Sequence, residues 1–273
     1  MLKEQLLNVQ KKSPLIHNIT NYVTVNDCAN VLLACGGSPI MADDIEEVEE
    51  ITSICGGLNI NIGTLNQNTI KSMLVAGKKA NQLSHPIILD PVGAGASALR
   101  TETALSLLEK VQFTVIRGNI SEIKTLALGF GMTKGVDADA ADAITSDNLD
   151  DVIIMAKKFA QKTGAVIAIT GTIDIVTDGK KTFIIKNGHP MMSKITGTGC
   201  MLTAMISAYV VANPSSLVEA VAASICAMGL SGEIAFSRLS EKDGTASFRM
   251  YLIDAISNLT PSVLEKGAKY EIR

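Results

Sequence analysis

Apolar and polar positions alternate between two patterns along most of the chain. Short runs rich in Ile, Val and Leu, typical of buried strands, lie at residues 58–63, 86–95, 113–119 and 165–172. Apolar residues recur at helical spacing between them, at 66–83, 101–111 and 147–164. Gly164 is placed to end the last of these helices. The repeated strand–loop–helix order predicts right-handed crossovers and a mostly parallel sheet with helices on both faces.

Residues 173–188 depart from this order. Two alternating runs meet there at Asp178-Gly179, a strong signal for a β-hairpin, so we expect an antiparallel hairpin beside the parallel sheet. Three helical segments follow, at 200–212, 215–236 and 246–258. Because no low-complexity linker, charge block or repeat divides the sequence, it predicts one α/β domain over 1–273 with helices on both faces of the sheet.

Composition supports a globular chain and argues against one class of partner. Hydrophobic residues make up 47% and charged residues 19%, enough for a sizeable core. Aromatic residues are only 4% and Trp is absent, so Ala, Val, Ile, Leu and Met must form that core. The net charge is −3 and no basic run occurs, which predicts no nucleic-acid partner.

Two apolar stretches could be mistaken for membrane spans. Residues 201–212 are too few to cross a bilayer, and 217–235 contain Glu219 and Glu233, so we expect buried core helices and no membrane partner. The five cysteines form no C-x-x-C pair, and the N-terminal segment lacks the apolar core of a signal peptide. These features predict reduced thiols in a cytoplasmic protein.

The predicted parallel strands end in small, polar and charged residues. Ligands of open α/β sheets bind at this edge. Asp90, before a glycine loop, could bind Mg²⁺ through water or order phosphates, or it could only accept loop hydrogen bonds. Arg117 needs an anionic partner, and a nucleotide phosphate would serve. Glu122 lies three residues after Asn119, so it could belong to a capping box or stand beside the metal. Thr170 begins a third such edge segment.

The stretch KITGTGCMLTAM, residues 194–205, joins a glycine turn to an apolar helix. Gly197 and Gly199 let the backbone approach a ligand closely, and the first helical amides could complete an anion-binding hollow. A plain tight turn is the alternative. Cys200 stands in the first helical turn, where the helix N-terminus is expected to lower its pKa. It could accept a proton from a substrate hydroxyl, or it could be a small buried residue.

Polar side chains gather before a predicted apolar helix in residues 17–42. Asn18, Thr20, Asn21 and Thr24 precede the helix, and Met41 follows it. One interpretation is a substrate pocket with a polar edge and a soft apolar wall. The alternative is helix capping by Asn21 or Thr24 and a core methionine.

Five motifs in fixed order extend these observations: HNITNYV, GGSPIMA, LDPVGAG, RGNISEI and ITGTGC. Together the sequence resembles the hydroxyethylthiazole kinases, a family of the ribokinase-like superfamily, over nearly its whole length. The resemblance implies a three-layer, Rossmann-like α/β fold of the ribokinase type. It also implies transfer of the ATP γ-phosphoryl group, with Mg²⁺, to the hydroxyl of 4-methyl-5-(2-hydroxyethyl)thiazole in thiamine salvage.

The resemblance also implies where the two substrates bind. Arg117 and Thr170 would contact ATP. Met41 and Gly197 would line the thiazole site, with Asn21 nearby. The resemblance further implies a homotrimer with its sites between subunits.

The remaining roles concern the transfer itself. By the same resemblance, Asp90 and Glu122 would serve the magnesium and its waters, and Gly197, Thr198 and Gly199 would form the anion hole. Cys200 would stand near the substrate hydroxyl as a modest general base, where the wider superfamily usually has an aspartate. Because a loose phosphoryl-transfer transition state needs charge stabilisation more than a strong base, a cysteine can suffice.

Three other functions stay open from the sequence. One is another ribokinase-like kinase, acting on hydroxymethylpyrimidine, pyridoxal or a sugar. The second is a nucleotide-dependent lyase of the same fold that repairs hydrated nicotinamide cofactors, and the third is a ligand-binding protein without catalysis. Cys200 in place of aspartate and the motif GGSPIM favour the thiazole alcohol, and the lyase would be expected to keep the aspartate.

Overall fold

A computed structural model describes residues 2–129, 144, 145 and 147–273. Its described strands form one sheet in the order β2-β1-β3-β4-β5-β6-β7-β8-β9. The strands are β1 (Leu15–Ile19), β2 (Ser38–Met41), β3 (Gly57–Asn61), β4 (Ile87–Asp90), β5 (Val115–Gly118), β6 (Val166–Ile169), β7 (Asp174–Thr177), β8 (Thr182–Ile185) and β9 (Tyr270–Ile272).

Strands β1 to β6 are parallel and β7 to β9 are antiparallel. The predicted hairpin is confirmed, because β7 and β8 pair on either side of a turn that contains Asp178 and Gly179. Gly179 has φ +91°, and Asp178 Oδ1 accepts hydrogen bonds from the amides of Lys180 and Lys181, each at 2.8 Å. These contacts show why this dipeptide turns the chain.

Helices cover both faces of the sheet. They are α1 (Leu2–Lys12), α2 (Val25–Cys35), α3 (Val48–Ile54), α4 (Gln67–Gln82), α5 (Ala98–Lys110), α6 (Ile120–Gly129), α7 (Leu149–Thr163), α8 (Thr198–Ala212), α9 (Leu217–Ser237), α10 (Thr245–Ser257) and α11 (Pro261–Gly267), with a short 3-10 helix at Pro190–Lys194. One core joins α1, α2 and α8–α11 to the sheet, and a second joins α3–α7 to the other face.

Neighbouring residues of a strand point into different cores. Ile88 of β4 lies in the core that contains α8, whereas Ile87 and Leu89 lie in the core on the opposite face. Burial on both faces explains the continuous apolar runs of the central strands. The three-layer α/β architecture expected from the sequence is therefore confirmed.

Some elements were not predicted. β1 and β2 contain polar residues, and β9 is short with no buried residue, so none has the apolar pattern of a buried strand. The predicted end of α7 is confirmed: Gly164 has φ +73° and its amide donates to the Ala160 carbonyl.

Helix α9 is the one helix in the described part of the chain with the length and hydropathy of a membrane span. Of its apolar window, 78% is buried inside the protein. It packs against α8 and α10 in the first core, as expected for a core helix.

Candidate active site

The glycine turn before α8 allows two close approaches. Gly197 has φ +88°, and a Cβ there would lie 2.5 Å from Thr24 Cγ2. A Cβ on Gly199 would lie 2.6 Å from Arg117 Nη1. Because Thr198 begins α8, the first amides of the helix have no helical acceptor and are available to an anion. The turn therefore has the geometry of an anion hole.

Asp90 and Arg117 face each other beside this turn. Asp90 is fully buried, and its Oδ2 accepts hydrogen bonds from Asn61 Nδ2 and Thr203 Oγ1, both at 2.8 Å. Its Oδ1 lies 3.6 Å from Arg117 Nη1 and has no hydrogen-bond partner. Arg117 Nη2 donates to Thr170 Oγ1. Burial raises the pKa of Asp90 to about 6, although the Arg117 charge opposes this shift.

This arrangement changes the interpretation of Arg117. The sequence suggested a nucleotide phosphate as its anionic partner, and the structure gives it Asp90 as a partner within the chain. Its guanidinium still reaches the turn at Gly199, so a bound phosphate would meet it there.

Glu122 forms a capping box with Asn119, which is one of the two roles that the sequence allowed for it. Its Oε2 accepts from the Asn119 amide and its own amide donates to Asn119 Oδ1, both at 2.8 Å. Its Oε1 accepts from the Gly93 amide at 2.8 Å. Glu122 thus ties the glycine loop after β4 to the start of α6. Its charge also contributes to the raised pKa of Asp90, so the two carboxylates lie within electrostatic range.

The expectation that the helix N-terminus lowers the pKa of Cys200 is wrong. Burial raises the pKa of this thiol, and the charge of Asp90 raises it further. Hydrogen bonds from Thr24, Asn61 and Asn21 oppose the shift without reversing it. The side chain is therefore a protonated thiol near neutral pH, held by Asn21 Nδ2 at 3.2 Å from its Sγ.

Asn61 links the thiol side of the site to Asp90, and the sequence did not reveal this role. Asn61 Oδ1 accepts from Asn21 Nδ2 at 3.0 Å, while its Nδ2 donates to Asp90. Asn21 Oδ1 in turn accepts from both the amide and the hydroxyl of Thr24. The only sequence signal was an asparagine at each second position of the apolar stretch LNINIG.

We call Asn21, Asn61, Asp90, Cys200 and Thr203 the acceptor-side network. Asn21 was predicted near the substrate, and the structure brings it to Cys200.

Met41 lies apart from the acceptor-side network in this chain. It ends strand β2 opposite Asn18 of β1, and it packs partly buried against the core that contains α8. Met41 is therefore in part the core methionine of the alternative interpretation. Because β2 is the outer strand of the sheet, the other side of Met41 is not covered by a neighbouring strand.

A cleft of about 580 Å³ opens on the other side of the turn. Its lining includes Arg117, Thr170, Asp174, His189, Met192, Thr198 and Gly199. Asp174, which the sequence did not single out, is buried at the start of β7, and its Oδ1 accepts from the Gly171 amide at 2.9 Å. Burial raises the pKa of Asp174 to about 7.

The fold and this rim define a class of protein first. Pyridoxal kinase from Staphylococcus aureus, solved with AMP-PCP and pyridoxal, superposes with a TM-score of 0.59 at 16% identity over 95% of this chain and 97% of that chain. That likeness shows the ribokinase-like fold.

Sequence similarity then gives the family. The sequence model of the Hydroxyethylthiazole kinase family matches residues 6–262. Hydroxyethylthiazole kinase from Clostridium acetobutylicum is 68% identical over 99% of both chains, and that from Clostridium beijerinckii is 54% identical over 97% of this chain and 95% of the relative. The hydroxyethylthiazole kinase structure from Pyrococcus horikoshii has a TM-score of 0.89 at 34% identity and covers 100% and 98% of the two chains. The chain belongs to the hydroxyethylthiazole kinase family.

This membership confirms the reaction expected from the sequence, the ATP-dependent phosphorylation of the thiazole alcohol. The roles of the individual site residues have to be inferred from their geometry.

Proposed function

We propose that the phosphoryl group passes from ATP to 4-methyl-5-(2-hydroxyethyl)thiazole at the N-terminus of α8, with ATP in the cleft and the thiazole alcohol on the acceptor side. The observation that carries this proposal is the position of two consecutive residues. Gly199 packs closely against the Arg117 guanidinium and lines the cleft. The next residue, Cys200, accepts a hydrogen bond from Asn21. The two substrates would therefore approach the same helical turn from opposite sides.

The chain supplies mainly charge and position to this reaction. The substrate hydroxyl oxygen attacks the γ-phosphorus, the bond to the β-phosphate bridging oxygen breaks, and ADP leaves. Negative charge on the transferred group faces the α8 amides at residues 197–199 and the Arg117 guanidinium. Thr170 holds Arg117 in that direction.

Cys200 has a modest part in the proposed mechanism. Because burial keeps its thiol protonated, it is a weak base in the resting site. Its thiol would contact the hydroxyl and keep it near the turn. The hydroxyl proton leaves late, when the new bond to phosphorus has acidified it, and passes to an oxygen of the transferred phosphoryl group.

Magnesium fits part of the site. The buried Asp90 Oδ1 has no hydrogen-bond partner, which suits a water bound to a cation. Both Glu122 oxygens already accept backbone amides, so its contribution would come through remaining lone pairs. No three His, Cys, Asp or Glu side chains gather as a metal site within the described residues, so phosphate oxygens and waters would complete the coordination. When bound, Mg²⁺ would neutralise phosphate charge.

We further propose a homotrimer in the cytoplasm. β2 is the outer strand of the sheet, and exposed apolar side chains lie on the segments that flank it: Tyr22, Val23, Leu33, Ile45 and Ile54. A second copy that covers them would reach Met41 and could complete the thiazole site.

All five cysteines are free thiols, which suits the reducing compartment of the cytoplasm. Sedimentation equilibrium tests the assembly, and a fluorescent fusion in the source cell tests the location.

Product analysis tests the catalytic proposal. We expect ADP release that depends on the thiazole alcohol and on Mg²⁺, with the phosphate monoester identified by ³¹P NMR. Hydroxymethylpyrimidine and pyridoxal serve as comparison alcohols. ADP release that is faster with either comparison alcohol, or that does not need an alcohol, would contradict the proposal.

A further inference from the structure

One wall of the cleft is held by contacts from helix α9 and the C-terminal segment. Residues 187–192 follow β8 and run into the first turn of the short 3-10 helix, and they line the cleft with Asn187, Gly188, His189 and Met192. We call these residues the cleft-wall loop.

Helix α9 supports the cleft-wall loop at unusually short range. A Cβ on Gly229 would lie 2.7 Å from the backbone of Asn187, and a Cβ on Gly232 would lie 2.4 Å from Met192 Sδ. Glycine is needed at Gly229, because a side chain there would collide with the backbone of the loop, whereas at Gly232 it would collide with the flexible Met192 side chain. The next residue along α9 is Glu233.

The carboxylate of Glu233 fixes the beginning of the loop. Its Oε1 accepts from Asn187 Nδ2 and from the Gly188 amide, both at 3.0 Å. Its Oε2 accepts from Lys269 Nζ at 2.7 Å. Burial alone would raise the pKa of Glu233, but these donors outweigh it and lower the pKa, so the charged form is retained.

Asn187 extends the same support to the C-terminal segment. Its Oδ1 accepts from the Lys269 amide at 2.7 Å, and its Nδ2 also donates to the Gly267 carbonyl at 2.9 Å. Exchanging its amide oxygen and nitrogen would place donor against donor and acceptor against acceptor, so one orientation is required. Gly188 has φ +137°, which favours glycine and lets the chain leave this clamp towards the cleft.

We propose that Glu233, with Lys269 and Asn187, is a positioning residue for the nucleotide: it holds the cleft-wall loop in its ATP-binding shape before ATP arrives. This inference rests on the proposed placement of ATP in the cleft. A preformed loop spares the nucleotide the entropy of ordering it, so the support strengthens ATP binding without touching the thiazole side.

A matched pair of glutamates on α9 makes the test specific. Glu219 lies on the same helix, has the same 22% side-chain exposure, and also lies 2.7 Å from a lysine, Lys181. It is not part of the cleft lining. We would compare Glu233→Ala and Lys269→Ala with Glu219→Ala.

The primary measurement is the Kd of AMP-PCP by calorimetry, with KM for ATP, KM for the thiazole alcohol and kcat beside it. Glu233→Ala should raise the Kd and the KM for ATP about three- to tenfold, with kcat and the thiazole KM unchanged within twofold. Lys269→Ala should show a smaller rise in the same two constants, and Glu219→Ala should leave all four within twofold.

The outcomes separate the two levels of the proposal. If the parent enzyme does not bind AMP-PCP, the placement of ATP itself fails. If the parent binds it and the Kd of Glu233→Ala stays within twofold, the positioning role alone is overturned, as it is if Glu219→Ala has the same effect. Should Glu233→Ala fail to fold, Lys269→Ala and Glu233→Gln decide: an unchanged Kd in both overturns the role.

Discussion

The two sides of the α8 N-terminus are built in different ways. On the acceptor side, Cys200, Asn21, Asn61 and Asp90 form a continuous chain of hydrogen bonds between largely buried side chains. On the nucleotide side, a cleft of about 580 Å³ is walled by loops, one of which rests on Glu233.

In the proposed arrangement, this difference suits the two substrates. A small thiazole alcohol must be presented in one orientation, which a rigid buried network can impose. A nucleotide is larger and must enter and leave as ATP and ADP, which requires an open space and loops that are held from behind. Arg117 belongs to both sides, because it faces Asp90 and reaches the cleft at Thr170.

The largest loss is expected where the two sides join. Asp90→Asn keeps the shape of the side chain but removes the charge opposite Arg117, so kcat should fall roughly 10²- to 10³-fold. Steady-state kinetics with circular dichroism to confirm folding is the measurement.

Asp27→Asn is the matched control for the loss at Asp90. Asp27 is largely buried and lies 3.5 Å from the half-exposed Arg249, so it also pairs with an arginine, but outside the site. Its replacement should leave kcat within twofold, and a kcat near that of the parent in Asp90→Asn would show that Asp90 does not join the two sides.

Gly197→Val should cost about 100-fold in kcat/KM, because its side chain would collide with Thr24 and displace the start of α8. Gly164→Ala separates this effect from backbone strain: Gly164 also has positive φ, yet a Cβ there meets nothing within 4 Å. Both variants should lose about 1 kcal/mol of stability from the strain alone. Full activity in Gly197→Val would refute the anion hole.

Cys200→Ala should reduce kcat by no more than about tenfold, because the turn and the other four members of the acceptor-side network remain without the thiol. Cys200→Asp should retain or exceed the parent activity, because a carboxylate is a competent proton acceptor. Cys226→Ala, which removes a buried thiol of α9, is the control in the same assay. Complete loss of turnover in a folded Cys200→Ala that still binds ATP would show that the thiol is essential.

The smallest effect on turnover is expected at Asp174, on the nucleotide side. This buried acid should instead make the free energy of unfolding depend on pH. Its pKa is raised to about 7, so between about pH 4 and pH 7 the unfolded chain ionises while the folded chain keeps the proton. Asp174 therefore lowers the free energy of unfolding progressively across this window, and its contribution is constant above pH 7.

Asp174→Asn should abolish that penalty, because the amide oxygen can still accept from Gly171. The free energy of unfolding of the variant should exceed that of the parent by on the order of 3 kcal/mol above pH 7 and converge with it near pH 4. Urea denaturation without nucleotide at four pH values measures this. Asp43→Asn, at an exposed site, is the control. A difference between variant and parent that does not change with pH would contradict the buried-acid interpretation.

Much of the fold could be predicted from the sequence because its central strands are buried on both faces. Their apolar runs and the helical spacing between them placed β3 to β6, and Asp178-Gly179 and Gly164 marked turns that local chemistry requires. β1 was not predicted because His17, in the middle of it, interrupts the apolar pattern. Its ring is buried through bonds to Thr52 Oγ1 and the Ala42 carbonyl, both distant along the chain.

The candidate site was predictable in part for a related reason. Parallel strands end at one edge, so Asp90, Arg117 and Thr170 were expected near one another, and the structure brings them together. Asn61 and Asp174 were missed because each stands in an apolar strand-like stretch, and nothing local shows which partner its side chain meets.

The sequence by itself thus determined the elements, the glycine turns and the family, since these depend on residue spacing, backbone conformation and shared motifs. Only the tertiary structure decided the charge state of Cys200, the pairing of Arg117 with Asp90, and the support of the cleft by Glu233. Burial and the distances between charges set these properties, and both arise when residues far apart in the chain are brought together.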